Sequence, residues 1–319
     1  MKNLVAGGDL ATVQAVRQVM IAGGNAIDGA VAGGFMAMIA ESTLTSAGGG
    51  GVMMVCPADG EPVVFDFFAN TPTGESAALD FQKVTVDFGP ATQDFHIGRG
   101  SAAVPGSIAG LLHAHEWFGQ LDRRAVLAPA ITAAREGVGV SAQQAVFIAN
   151  LEPILTHSPG AREVYAPEGR LLGEGDRLVL PAFAESLEAL AENGADVFYR
   201  GAIAEEIVDW AGVGGLIQRE DLANYRVAER EPLVCDFAGH EVLLNPPPAT
   251  SGEMVQRTLE RFSNEIDLIK SLEAESAPGN GVGSTTHLSV LDAAGNAVSL
   301  TTTNGEGCGE MLPRSGFML

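Results

Sequence analysis

Near the C-terminal end of the chain, two β-prone runs, 285–291 (TTHLSVL) and 297–303 (AVSLTTT), flank the pentapeptide Asp292-Ala293-Ala294-Gly295-Asn296. A type I turn closed by a left-handed glycine at Gly295 makes this a three-residue hairpin loop, with Asp292 paired to Asn296. The register follows from the turn: 291 with 297, 289 with 299, 287 with 301, and at the open end Thr285 with Thr303. Side chains alternate across a strand. Leu288, Val290, Val298 and Leu300 therefore share a core face, and Thr285, His287, Ser289, Ser299, Thr301 and Thr303 share the other. This pattern allows little but a hairpin inside a larger, half-buried sheet.

The plain reading of that second face is a threonine-rich strand pair, since threonine is a good strand former. Position argues for more. Ser276 to Ser284 (SAPGNGVGS) is a run of turn formers with the composition of an exposed linker, and it ends against Thr285. A cut between Ser284 and Thr285 gives Thr285 a free α-amine, whose ordinary pKa of about 7.7–8.0 suits a general base near neutrality. One residue then supplies both nucleophile and base, and Thr303 is placed to orient it. His287 reads as a hydrogen-bonded structural histidine rather than a base.

The rest of the 319 residues reads as globular, with 46% hydrophobic and 18% charged residues. Asp9 is a candidate cap for a helix over 10–20, and Asn25 starts a second one through Ala40 that is apolar almost all round. Gly48 to Gly51 leads into a strand over 52–55, with a second strand at 63–68. Helices are expected near 106–118, 123–136, 142–151, 181–192, 202–211 and 251–275, strands near 225–237 and 241–244, and a long surface loop over 158–175.

Several function classes are excluded. The net charge of −22 disfavours nucleic acid and anionic membrane surfaces as partners. The apolar stretch 30–40 is about half the roughly 20 residues of a membrane span, and no long apolar run follows Met1-Lys2. A cytoplasmic, soluble protein is expected. The three cysteines are isolated and the six histidines form no HxxxH or HExxH pattern, so no metal site is expected. Gly48 to Gly51 lacks the spacing of a phosphate loop and precedes a strand, so no nucleotide cofactor is expected either. The acidic pairs Glu205-Glu206 and Glu220-Asp221 read as solvated faces or caps, not as glycosidase carboxylates. Glu306 and Cys308 follow the hairpin in a glycine-rich loop, where they either line a pocket or belong to an ordinary surface turn.

In order along the chain, Gly23-Gly24-Asn25-Ala26-Ile27-Asp28, Gly48 to Gly51, Ser101 to Gly106, Gly201 to Glu206, Glu220-Asp221-Leu222, Pro246 to Pro248, Thr285 to Val290 and Gly295 to Val298 resemble gamma-glutamyltransferase landmarks. The resemblance implies an N-terminal-nucleophile (Ntn) hydrolase: an α+β fold, the αββα four-layer sandwich, incomplete here at the C-terminus. It implies one such domain, with residues 1–284 as the large-subunit region and 285–319 as the start of the small subunit, separated by self-cleavage before Thr285. Thr303 matches the family's second active-site threonine, and Asn304 lies one position from its substrate-binding asparagine. Phe68 stands where the family carries the arginine that holds the substrate's α-carboxylate, a contact no phenyl ring makes. The implied partners are a small-molecule amide or γ-glutamyl substrate and the chain's own small subunit, without a cofactor. A non-glutamyl acylase and an inactive remnant are the alternative readings. The second of these draws on the altered, shortened stretch between Pro248 and Thr285 and on a chain that stops at Leu319, where the family's small subunit continues toward its oxyanion-hole glycines.

Overall fold

The computed structural model describes residues 2–89, 92–261, 284–305 and 307–319. The chain opens with β1 (Leu4–Gly7), α1 (Leu10–Ile21), α2 (Ala26–Ala40), β2 (Gly50–Cys56) and β3 (Val63–Phe67). A hairpin of β4 (Gln82–Asp87) and β5 (Thr92–Ile97) leads to α3 (Ser107–Phe118) and α4 (Arg123–Glu136). Then come β6 (Val138–Gly139), α5 (Ala142–Asn150), α6 (Glu152–Leu155), α7 (Pro159–Tyr165), β7 (Arg177–Leu178), α8 (Pro181–Asn193), α9 (Asp196–Tyr199), α10 (Ala202–Ala211) and α11 (Arg219–Asn224). The remainder is β8 (Ala228–Arg230), β9 (Leu233–Phe237), β10 (His240–Leu244), α12 (Thr250–Arg261), β11 (Ser284–Leu291) and β12 (Ala297–Gly305).

The main sheet is antiparallel throughout, in the order β1-β11-β12-β2-β3-β8. Strands from the two ends of the sequence thus interleave, and the C-terminal hairpin sits inside the sheet. Paired residues share a face. Leu288 and Val290, Val298 and Leu300, Met53 and Val55, and Phe65 and Phe67 are all buried on one side. Helices α1 and α2 cover that side. Every residue of α2 is buried, and its glycines let it approach the sheet: a Cβ on Gly33 would lie 2.5 Å from Leu288 Cδ2. Asn25 and Asp28 close a capping box at the start of α2. This is one helical layer and one sheet of the four-layer architecture. Among the described strands the second large sheet is not present; β4–β5, β6–β7 and β9–β10 form separate two-stranded ribbons.

The hairpin turn forms as the sequence predicts. Gly295 has φ 105°, and Asp292 N–H donates to the Asn296 carbonyl at 3.0 Å. The Asp292 carboxylate accepts from Gly295 N (2.9 Å), Asn296 N (3.0 Å) and Asn296 Nδ2 (2.7 Å), and from Ala26 N at the start of α2 (3.0 Å). Burial opposes ionisation of this carboxyl, but the hydrogen bonds together outweigh it and hold its pKa below the ordinary value.

Three expectations need correction. The 158–175 stretch is not a plain loop: α7 lies within it, and Ala161, Tyr165 and Leu172 are buried core residues. The strand expected over 225–237 is broken into β8 and β9 at Pro232, which has no N–H for a ladder. The Glu205-Glu206 pair is not a wholly solvated face: Glu206 is buried and accepts from Arg314 N and Ser315 Oγ. The linker expectation for 276–284 falls, apart from the backbone of Ser284, outside the described residues.

Candidate active site

The hairpin carries Thr285 to the open end of the central strand pair, and the alternation puts its side chain on the exposed face. The predicted register holds from Leu291↔Ala297 to Thr286↔Thr302 and then slips, so that Ser284 pairs with Gly305. Thr285 therefore does not sit in a regular pair with Thr303. The β12 side holds one extra residue, a bulge of the kind that re-aims a strand end. The cause is visible in β12: Thr303 Oγ1 accepts from Gly305 N–H at 2.9 Å, and Gly305 takes φ 62°. On its other side Thr303 pairs with Gly50 of β2.

Gly48 to Gly51 make this packing possible. A Cβ on Gly49 would overlap the Thr303 carbonyl, and one on Gly48 would overlap the backbone of Leu319. The run is thus a place where three backbones meet, which only residues without a Cβ allow. Gly106 and Ser107 N–H both donate to the Gly49 carbonyl, which fixes α3 against the same loop.

Two cavities meet here. One of about 430 Å³ is lined by Thr285, Thr301, Thr303, Phe68, Val52 and Leu243, among others. The second, about 290 Å³, is lined by Gly48 to Gly50, Phe68, Thr303, Asn304 and Cys308. Phe68 and Thr303 line both. Phe68 is 58% exposed just past the end of β3, where its carbonyl accepts from the Tyr225 hydroxyl at 2.8 Å. Asn304 is held by its N–H to the Leu44 carbonyl (3.1 Å), while its Oδ1 is buried without a donor among the described residues. Thus Thr285, Thr303, Phe68 and Asn304, singled out on the sequence, are brought to one place.

His287 hydrogen-bonds to Thr301 Oγ1 (2.8 Å) and Ser289 Oγ (3.0 Å), and partial burial lowers its pKa. It braces the hydroxyl face, as a structural histidine would. Cys308 is buried, its thiol pushed up to about 12 by that burial, which makes it an inert wall of the second cavity. Glu306 lies outside the described residues.

Sequence reasoning missed the other side of β11. Thr286 points into the core, where its Oγ1 donates to Glu41 Oε2 at 2.5 Å. Thr12 donates to Glu41 Oε1 at 2.6 Å. Glu41 is 1% exposed; burial raises its pKa against the pull of the two hydroxyls, and Asp9 adds to the rise. The available signal was an acidic residue ending a helix that is apolar beyond its first turn.

Comparison with known proteins gives the family and the fold. The gamma-glutamyltranspeptidase family model matches residues 12–277 and 256–319. The chain belongs to the gamma-glutamyltranspeptidase family. Among curated members it is 36% identical over 247 residues to the acylase ACY 1 proenzyme of Pseudomonas sp. (strain SE83), covering 76% of this chain and 44% of the relative. It is 31% identical over 265 residues to the glutathione hydrolase proenzyme of Escherichia coli (strain K12), covering 82% and 45%. The chain thus spans about half the length of the curated gamma-glutamyltranspeptidase relatives it matches. Among solved structures, Helicobacter pylori gamma-glutamyltranspeptidase superposes with a TM-score of 0.73 at 27% identity, over 85% of this chain and 80% of that one. Cephalosporin acylase from Bacillus halodurans shares the fold, with a TM-score of 0.78 at 23% identity over 100% and 69%. The fold is that of the Ntn hydrolases in this family. Among the described residues no helix is long and apolar enough to cross a membrane.

Proposed function

We propose that the chain is the front part of a self-cleaving amide hydrolase or acyl transferase whose nucleophile is Thr285. The observation that carries the reading is placement. Thr285 stands in the first two residues of strand β11, on the open face, over a cavity shared with Thr303 and next to the glycine run. In the first reaction Thr285 Oγ attacks the Ser284 carbonyl carbon. The Ser284–Thr285 C–N bond breaks, the nitrogen takes the hydroxyl proton, and an ester links the two residues. Water then cleaves the ester, leaving a carboxylate on Ser284 and a free α-amine on Thr285.

That amine is the base of the second reaction. It takes the Oγ proton as Oγ attacks the substrate amide, and passes it to the departing amine. The acyl group stays on Thr285 until water or an acceptor amine removes it. Thr303 positions this centre, and Asn304, which lines the adjoining cavity, is the substrate-binding residue. Residues 1–284 and 285–319 become separate chains yet remain together. Strand β11 is hydrogen-bonded to β1 and β12 to β2, and Glu206 of α10 accepts from Arg314 N at 2.6 Å.

The substrate is a γ-glutamyl amide or a related acyl amide, as the names of the relatives indicate for those proteins. One observation favours the related acyl group. Neither cavity is lined by a lysine or arginine among the described residues, and Phe68 faces both. A γ-glutamyl carboxylate finds no ammonium or guanidinium partner there among the described residues. Rates on γ-glutamyl p-nitroanilide and on aliphatic acyl p-nitroanilides separate the two. A preference for the aliphatic acyl groups that Phe68→Arg shifts toward γ-glutamyl supports the acylase reading; a γ-glutamyl preference with Phe68 intact contradicts it.

A further inference from the structure

Helix α2 is apolar beyond the Asp28 of its first turn and ends in an acid. Glu41 occupies its C-cap, where unsatisfied carbonyls form the negative end of the helix dipole. A carboxyl group there is disfavoured by burial and by the dipole alike. Its two oxygens are both used, one by Thr12 at the first turn of α1 and one by Thr286 at the start of β11. Gly8, between β1 and α1, is the third close neighbour: a Cβ there would overlap Glu41 Oε2 and lie 3.1 Å from Thr286 Oγ1. Three segments distant in sequence thus converge on the residue that follows Thr285.

The consequence lies in the alternation of the strand. Thr286 is the last residue of β11 in regular register, and the ladder slips between Ser284 and Thr286, so pairing alone does not fix the direction of Thr285. Where the ladder is irregular, a side-chain anchor must set the rotation. We propose that Glu41 is a positioning residue for Thr285: by holding the Thr286 hydroxyl from the core side, it fixes the turn of β11 that presents the Thr285 Oγ to the open face. This rests on the reading of Thr285 as the self-cleaving nucleophile. Glu41 itself touches no reacting atom. It acts on the geometry of attack, to which such reactions are steeply sensitive.

The test is the first-order rate of Ser284–Thr285 cleavage in the full-length protein, followed by intact mass, with the melting temperature measured on each variant. Thr286→Val keeps the shape and removes the hydroxyl, Glu41→Gln keeps the shape and removes the charge, and Thr286→Ser restores the hydroxyl. The expected result is cleavage slowed at least about tenfold in Thr286→Val and Glu41→Gln, with Thr286→Ser within about threefold of wild type. A purely structural network would make cleavage follow the melting temperature instead. Should the single variants fail to fold, the Glu41→Leu/Thr286→Val pair replaces the polar contact by apolar packing, which buried sites tolerate. Any folded variant lacking the contact that cleaves at the wild-type rate overturns the proposal while leaving Thr285 as nucleophile. A wild-type protein that stays whole overturns both.

Discussion

Asp292 ties the hairpin turn to the first turn of α2, and its removal should weaken both. The perturbation is Asp292→Ala, made in a Thr285→Ala background so that the chain stays uncut during unfolding. Four donors lose their acceptor. Gly295 N, Asn296 N and Asn296 Nδ2 lie in a turn that water reaches, so their loss is partly made good. Ala26 N is different: Ala26 is 0% exposed, and its N–H is left without a partner. An orphaned buried donor costs about 1–3 kcal/mol, and a hydrogen bond to a charged acceptor contributes about 1.5–3 kcal/mol net, less where water can replace it. A total near 3 kcal/mol follows as an order of magnitude. Asp292→Asn keeps one acceptor oxygen and should lose roughly 1 kcal/mol. The folded-state pKa of Asp292 is depressed, so its stabilisation is fully present above the ordinary carboxylate value and is lost as pH falls through the folded value. Urea unfolding at pH 7 and along an acid series measures both effects. An Asp292→Ala variant within about 0.5 kcal/mol of its parent at pH 7 would refute the reasoning, since that is the range of ordinary surface substitutions. So would an unchanged slope at acid pH.

Gly33→Val should cost about 1–3 kcal/mol or more by forcing α2 off β11, because even a Cβ at Gly33 meets Leu288 and Val16 at 2.5 and 2.8 Å; thermal unfolding reads this directly. His287→Gln should leave self-cleavage within a few-fold of wild type, since the ring braces Thr301 and Ser289 and takes no proton in the proposed chemistry; a rate loss of about 10²-fold, the size expected for a general base, would reassign it. Glu41→Gln should gain stability relative to wild type as pH rises, because a carboxyl with a raised folded pKa stabilises fully only below its ordinary value and loses that contribution on ionising; melting curves from pH 5 to 9 check the sign.

Much of the site was legible because the turn at Asp292 to Asn296 is local and its residues specify one geometry. From it the register could be counted outward for six pairs, to Thr286 and Thr302. The count failed at Thr285, where the strand end is governed by Gly305 and by backbone contacts from the Gly48 to Gly51 run, neither of which lies in the two strands' own alternation. Strand β1 was not anticipated: Leu4–Gly7 is four mostly exposed residues with no alternation, and it is a strand only because β11 pairs with it. Helix α7 escaped notice because its region is dense in turn formers, while the apolar positions that dock it, Ala161 and Tyr165, are too few to show a period. The Glu41 network was invisible for a different reason. It joins residues 29 and 245 positions apart, and no spacing rule reaches that far.

The central claim is that Thr285 cuts the chain at its own amide. The direct measurement is the intact mass of the full-length protein after purification, beside that of its Thr285→Ala variant. The account predicts two fragments separated between Ser284 and Thr285 for the wild type and a single uncut chain for the variant. A wild type that remains whole, or a variant that still splits at that bond, would contradict it.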